Sequence, residues 1–162
     1  VKAAASMIFP TGKYDKDDVA SPGHNLYFFL PNVALTYLFG PNPLGEGLEL
    51  SSTFWYEITP RNDDTDIKSG DVYNIDWAVT QRTGLWQYGV AGNYAKQLED
   101  DDYKGDSVAP NGNRLLISGV GPVVSRTFPE LGLQVKAKAS ISVDNENALK
   151  MNALVFSFIK QL

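Results

Sequence analysis

The sequence predicts an all-β protein: an antiparallel, up-and-down transmembrane β-barrel with about eight strands in this chain. Three observations predict it. Apolar and polar residues alternate with a period of two through long segments, the pattern of a strand whose two faces meet different surroundings. These segments run to roughly 10 residues, the length of a membrane-crossing strand, whereas strands of globular proteins average about 5 or 6. Long polar loops alternate with short turns between the segments, as they do in outer-membrane barrels.

Eight segments are predicted as strands, four from clean alternation and four from a less regular pattern. The clean segments are 48–59, 72–81, 85–98 and 131–144, and the others are 1–9, 25–39, 114–128 and 151–160. Helical periodicity does not persist for more than about two turns anywhere in the chain. Because there is no interdomain linker, residues 1–162 are predicted to form a single β-barrel domain.

The predicted connections alternate in length. Long polar loops follow the first, third and fifth strands, and shorter links follow the second, fourth and sixth. The long loops are 10–24, 60–71 and 99–113, the short links are 40–47, 82–84 and 129–130, and 145–150 is intermediate. With eight strands, this order places both ends of the chain on the side of the short turns.

Composition excludes several classes of function. A net charge of −5 and a pI near 4.8 give no electrostatic reason to bind nucleic acid. The chain has no cysteine and one histidine, His24, so it lacks a disulfide framework, a thiolate site and a metal site with several histidines. The acidic loop clusters at 63–66 and 99–102 could hold calcium, but solvated loop charge is the ordinary explanation. We expect no enzymatic activity, no cofactor and no metal.

Alternation alone does not say which face of the barrel is inside. The apolar face carries aromatic side chains, several near strand ends, which is typical of the aromatic girdles at a membrane surface. The candidates for these girdles are Phe54, Tyr56, Tyr73, Trp77, Trp86, Tyr88 and Tyr94. The opposite face is rich in Ser, Thr, Asn and Gln, as a lumen would be. The pattern therefore favours an apolar face toward lipid, and the alternative is a soluble, lipocalin-like protein that binds a small apolar ligand.

Six residues on the polar face are predicted to face the lumen. They are Glu49, Trp55, Glu57, Asp76, Lys136 and Lys138. The charges could form a constriction that selects solutes, but an ion-pair network that holds the barrel together is the favoured interpretation, because inward charges need partners in a narrow interior. Trp55 could stack on an aromatic solute, although filling space is the more common role of such a side chain.

Several motifs in this order resemble the meta-pathway phenol-degradation family of outer-membrane proteins. They are FPTGKYD at 9–15, YEIT at 56–59, SGDVY at 69–73, DWA at 76–78, GVAGNY at 89–94 and the strand at 114–128 with its Gly-Pro at 121–122. The resemblance implies a barrel in the outer membrane of a Gram-negative bacterium, in contact with lipid and lipopolysaccharide, that admits aromatic or other hydrophobic small molecules. It implies no catalytic residues.

Members of that family are usually nearer twice this length, so the resemblance also implies a C-terminal portion of a larger barrel of about twelve strands. Strand number matters because an eight-stranded barrel is just wide enough for its own side chains. A barrel filled in this way would stabilise the envelope without transporting anything. A channel, a structural barrel and a soluble binder are therefore the three functions that the sequence leaves open.

Overall fold

Eight long strands form one antiparallel sheet whose strand order follows the chain. The computed structural model describes residues 1–15, 17 and 25–160; His24 and most of the second half of the predicted 10–24 loop lie outside them. In chain order the strands are β1 (Lys2–Ile8), β2 (Phe28–Leu38), β3 (Gly47–Glu57), β4 (Ile67–Lys68), β5 (Val72–Thr83), β6 (Trp86–Gln97), β7 (Asp102–Tyr103), β8 (Asp106–Ser107), β9 (Leu116–Phe128), β10 (Leu133–Glu146) and β11 (Ala153–Lys160). The main sheet runs β1-β2-β3-β5-β6-β9-β10-β11, so the predicted all-β, up-and-down architecture is confirmed.

The eight predicted strands agree with the eight strands of the main sheet to within three residues at either end. The tightest connection is the two-residue turn between Thr83 and Trp86, where Gly84 has a φ of +57°, a conformation that glycine adopts without steric cost. Only one helical turn occurs in the described part of the chain, the 3₁₀ turn Pro129–Leu131 between β9 and β10. No helix in that part is long and apolar enough to cross a membrane.

The polar face of the main sheet is the more buried one and its apolar face is the more exposed one, which is the reverse of the arrangement in a soluble protein. Successive residues of a strand point to opposite faces. The exposure of two neighbouring residues therefore shows how the two faces differ. On β5 the residue Val79 is 41% exposed and its neighbour Thr80 is 6% exposed. On β9 the corresponding values are 39% for Val124 and 6% for Ser125. Within the described residues the buried apolar side chains are small and few, namely Val72, Ala91 and Ala95.

The sheet is strongly curled around its polar face. Glu49 on β3 and Lys136 on β10 line the same cavity. Four strand intervals separate β3 from β10, which in a flat sheet would place them roughly 19 Å apart. Side chains on these strands can border one cavity only if the sheet bends toward them, so the structure has the shape of a barrel wall.

The curled sheet is open along one seam. β1 and β11 are its edges, and the strand order of the described residues pairs neither of them on its outer side. Both edge strands are exposed over most of their length, including Phe156 and Phe158 on β11. The main sheet has an even number of strands, and their directions alternate. β1 and β11 therefore run antiparallel to each other and could pair.

A second, smaller sheet occupies two of the segments that were predicted to be loops. β4 in the 60–71 segment pairs with β7 in the 99–113 segment, and β7 pairs with β8. The Arg61 guanidinium ties the two segments together: it donates to the Asp66 carboxylate at 3.0 Å and also contacts the Asp102 carboxylate. The two connections 60–71 and 99–113 are therefore structured and joined to each other.

Candidate functional site

Strand register places all six predicted lumen residues on the polar face, where Asp76 and Lys136 are exposed and the other four are partly buried. Directly paired residues of an antiparallel sheet share a face. Glu49 pairs with the buried Thr80, and Lys136 pairs with the buried Ser125. The remaining candidates, Trp55, Glu57, Asp76 and Lys138, are separated from these residues by even numbers of positions on the same strands.

One cavity lies against this face on the side of the short turns, and we call it the turn-side cavity. It has a volume of about 440 Å³ and brings together side chains from β3, β5, β6, β9 and β10. Four of the six candidates line it: Glu49, Asp76, Lys136 and Lys138. The rest of its wall is mostly Ser, Thr, Gln and Ala, so it is a polar space into which both signs of charge project.

A second cavity lies toward the long loops, and we call it the loop-side cavity. Its volume is about 330 Å³, and its lining includes Trp55, Leu30 and the amide side chains of Asn74 and Asn93. Asp76 and Lys138 line this cavity as well as the turn-side one. The two cavities therefore meet at the level of these two charged side chains. Glu57 lies beyond both cavities, at the loop end of β3, and is partly buried.

The charges on the inner face are not paired with one another. The described residues form four ion pairs within 4.0 Å, and all four lie in the loops: Arg61–Asp66, Arg61–Asp102, Lys68–Glu99 and Arg114–Asp100. The predicted internal ion-pair network is thus not formed. The Glu49 carboxylate accepts a hydrogen bond from the Ser51 hydroxyl at 3.0 Å. The acidic groups lie on β3 and β5 and the two lysines on β10, so opposite walls carry opposite charge.

The indole of Trp55 has a polar atom without a partner. Its Nε1 is shielded from solvent and donates no hydrogen bond. A buried donor without an acceptor is unusual in native structures, and each one asks for an explanation. Sequence reasoning placed Trp55 on the inner face, but no sequence signal could show that its N–H lacks an acceptor.

All seven girdle candidates point to the exposed, apolar face. Register places them with Val79 and Val124 and opposite to the buried Thr80. At the loop end the rings of Tyr73 and Tyr94 are in contact, with centroids 5.8 Å apart. The other candidates on this face are Phe54 and Tyr56 on β3, Trp77 on β5, and Trp86 and Tyr88 on β6. Their role at a membrane surface stays a prediction.

Aromatic rings mark the turn end of the apolar face as well. Trp86 begins β6 there, and the Arg126 guanidinium lies 5.2 Å from the centroid of its ring and 4.7 Å from that of Phe128. Such contacts hold a cation against aromatic faces. Trp77 differs from the other candidates because it lies in the middle of its strand, directly across from Gly92.

The loop ion pairs shift the acid-base properties of their carboxylates. The Arg61 guanidinium, with the backbone N–H of Gly105, holds the pKa of Asp102 below its usual 3.8. Hydrogen bonds from the Ser107 hydroxyl and Arg114 likewise lower the pKa of Asp100. These acidic loop residues therefore have defined partners in the protein. No group of three or more metal-ligating side chains is placed to hold a metal ion in the described part of the chain.

The fold and the site define a class: an all-β, barrel-like protein with an apolar outer face and a charged, polar interior. The chain belongs to the family described as "Putative MetA-pathway of phenol degradation", whose model matches residues 1–158. The family resemblance carried by the sequence motifs is thereby confirmed. No curated protein matches the chain, and no solved structure does.

Proposed function

We propose that this chain forms the wall of an outer-membrane β-barrel that admits small solutes, aromatic compounds among them, through its polar interior. The observation that carries the proposal is the reversal of the two faces. Large apolar side chains such as Phe54 and Tyr88 are 42% exposed, while Thr80 and Ser125 are 6% exposed. In water this arrangement would expose the apolar face to solvent at a cost in free energy, whereas in a bilayer lipid covers that face.

The distribution of charge supports the same conclusion. On the outer face of the main sheet, charged residues such as Lys96 and Arg126 lie near strand ends, while Asp76 and Lys138 lie well inside their strands on the inner face. A charge on the lipid face is most costly at the middle of the bilayer and cheap near its surfaces. The pattern is therefore the one that a lipid environment imposes.

The open seam between β1 and β11 has to be closed in a bilayer. Inside a bilayer no water is available to the N–H and C=O groups of a strand edge, so each edge has to be paired. In the membrane β1 and β11 therefore pair with each other or with further strands. The second arrangement gives a wider barrel, as the family resemblance implies.

The interior has room for a solute of one aromatic ring. An apolar cavity of about 150 Å³ accommodates benzene, and the two inner cavities measure about 440 and 330 Å³. The family description names phenol degradation, a pathway that consumes aromatic compounds. Both facts support aromatic compounds as solutes of this barrel.

The test is reconstitution of the purified protein into liposomes and planar bilayers. We expect the protein to need detergent or lipid to stay monodisperse, and we expect liposomes that contain it to swell in small polar solutes. Flotation of the protein with the liposomes shows that it has inserted. An inserted protein that leaves the bilayer closed would overturn the transport proposal and favour a structural barrel. A monomer that is stable in plain buffer would overturn the membrane location itself and favour a soluble binder.

A further inference from the structure

We propose that the loop-side cavity is a recognition site for a neutral, hydroxylated one-ring aromatic compound, with the indole of Trp55 as its stacking surface. The inference rests on the proposed function only in that a solute must be able to reach the interior. It names the residues that recognise the solute and the chemical class that they select.

The polar side chains around this cavity are free of other partners. Trp55, Asn74, Asn93, Asp76 and Lys138 all line it. The described residues offer no hydrogen bond or ion pair to the side chains of Asn74, Asn93, Asp76 and Lys138. By contrast, the acidic residues of the loops are engaged, as in Asp101 with Gln97 and Asn113 at 2.8 Å each. Polar groups that converge on a cavity without mutual bonds are available to a ligand.

The lining also has the apolar surface that an aromatic ring needs. The indole of Trp55 borders the cavity from β3, and the Leu30 side chain borders it from β2, the neighbouring strand. A flat ring that enters this space can stack on the indole and cover the leucine, a mode of binding that depends on a π-face. A saturated ring of the same size would lose the stacking contribution.

The charges at the cavity favour a neutral solute with a hydroxyl group. Asp76 accepts hydrogen bonds and Lys138 donates them, so an aromatic hydroxyl could donate to the first and accept from the second. Because one acid and one base line the cavity, the site carries no excess charge of one sign to attract an ionised ligand. The Asp76 carboxylate would repel a benzoate anion, whereas it can accept a hydrogen bond from the neutral hydroxyl of a phenol.

The site lies on the path between the loops and the turn-side cavity. Asp76 and Lys138 line both cavities, so a solute held on Trp55 lies next to two residues that border the second one. Recognition at the loop side would therefore place the solute beside the larger cavity, as admission through the interior requires.

Calorimetric titration of the detergent-solubilised protein tests the site, with phenol, cyclohexanol and benzoate as probes. We expect phenol to bind at least tenfold more tightly than either of the others. Trp55→Leu should weaken phenol binding about tenfold or more, Trp55→Phe should retain most of it, and Asp76→Asn should weaken it. Trp77→Phe, on the outer face, is the matched control and should leave binding unchanged. Equal affinity for phenol and cyclohexanol, or undiminished binding in the Trp55→Leu variant, would overturn the inference.

A second measurement tests the site even if the Trp55→Leu variant does not fold. In a Trp77→Phe, Trp86→Phe double variant, Trp55 is the sole tryptophan. Phenol should change its emission and shield it from acrylamide quenching, and a saturating titration with no such change would refute the site. Liposome swelling with the same preparation separates the two proposals. Binding without flux contradicts transport and retains the site, while flux without binding contradicts the site and retains transport.

Discussion

The indole of Trp77 covers the Cα of Gly92, its direct partner across the ladder between β5 and β6. A Cβ atom at position 92 would lie 2.5 Å from the Trp77 ring, closer than atoms approach in folded proteins. The small residue and the large ring are therefore one packing unit on the outer face.

Gly92→Ala should destabilise the protein, because the indole has to move or change rotamer. Overpacking of this kind typically costs about 1–3 kcal/mol. The measurement is the urea midpoint of unfolding in micelles. Gly40→Ala is the matched control, since a Cβ at position 40 has no atom within 4 Å. Adding Trp77→Phe to Gly92→Ala should restore part of the loss, and equal midpoints for the two alanine variants would contradict the packing argument.

A lysine on the outer face should be far more costly than one on the inner face. Val79 and Ala78 are neighbours on β5, but Val79 points outward and Ala78 lines the turn-side cavity. In a bilayer Val79→Lys should cost roughly 2–4 kcal/mol, because it places a charge near the middle of the lipid. Ala78→Lys should cost much less. Unfolding in lipid vesicles measures the difference, and equal costs would argue against lipid on the outer face.

The unpaired inner charges should set the ion preference of the pore. Neutralising Lys136 and Lys138 with glutamine should shift selectivity toward cations, since charged side chains that line a pore decide which ions enter it. Neutralising Glu49 and Asp76 with Gln and Asn should shift it toward anions. The reversal potential in a KCl gradient reports both changes. Two shifts of the same sign would show that these side chains do not line the conducting path.

The small loop sheet should loosen in acid. The pKa of Asp102 lies below its usual 3.8, so the folded loops favour its ionised form. The ionised Asp102 therefore stabilises the folded loops at a pH above the usual pKa. This stabilisation is lost as the pH falls below about 4 and passes through the lowered pKa. Arg61→Gln should loosen the loops already at neutral pH and flatten the acid response. Amide exchange at Tyr103 measures it. Lys68→Gln should have a smaller effect, because Lys68 makes no hydrogen bond to Asp102 and its exposed pair with Glu99 at 3.4 Å contributes little. An unaltered acid response in Arg61→Gln would exclude the Arg61–Asp102 contact as its source.

The strands could be predicted from the sequence because each carries its own two-sided pattern, and register then follows from the turns. The small loop sheet could not be predicted, because its two-residue strands have no periodicity and depend on contacts such as Arg61 with Asp102. The inner position of Asp76 and Lys138 followed from alternation. Their lack of partners did not, since ion pairing depends on how strongly the sheet curls, which no local pattern encodes.

The linear strand order also has a consequence for how the sheet can fold. Each long strand pairs with the long strand that precedes it in the chain, so the sheet can grow one hairpin at a time from contacts that are close in sequence. A pairing of β1 with β11 would join the two ends of the described chain, and closing so large a loop carries the greatest entropic cost. Such a seam would form last and open first. We therefore expect the lifetime of the closed barrel to depend on this single line of hydrogen bonds more than on any other ladder in the sheet.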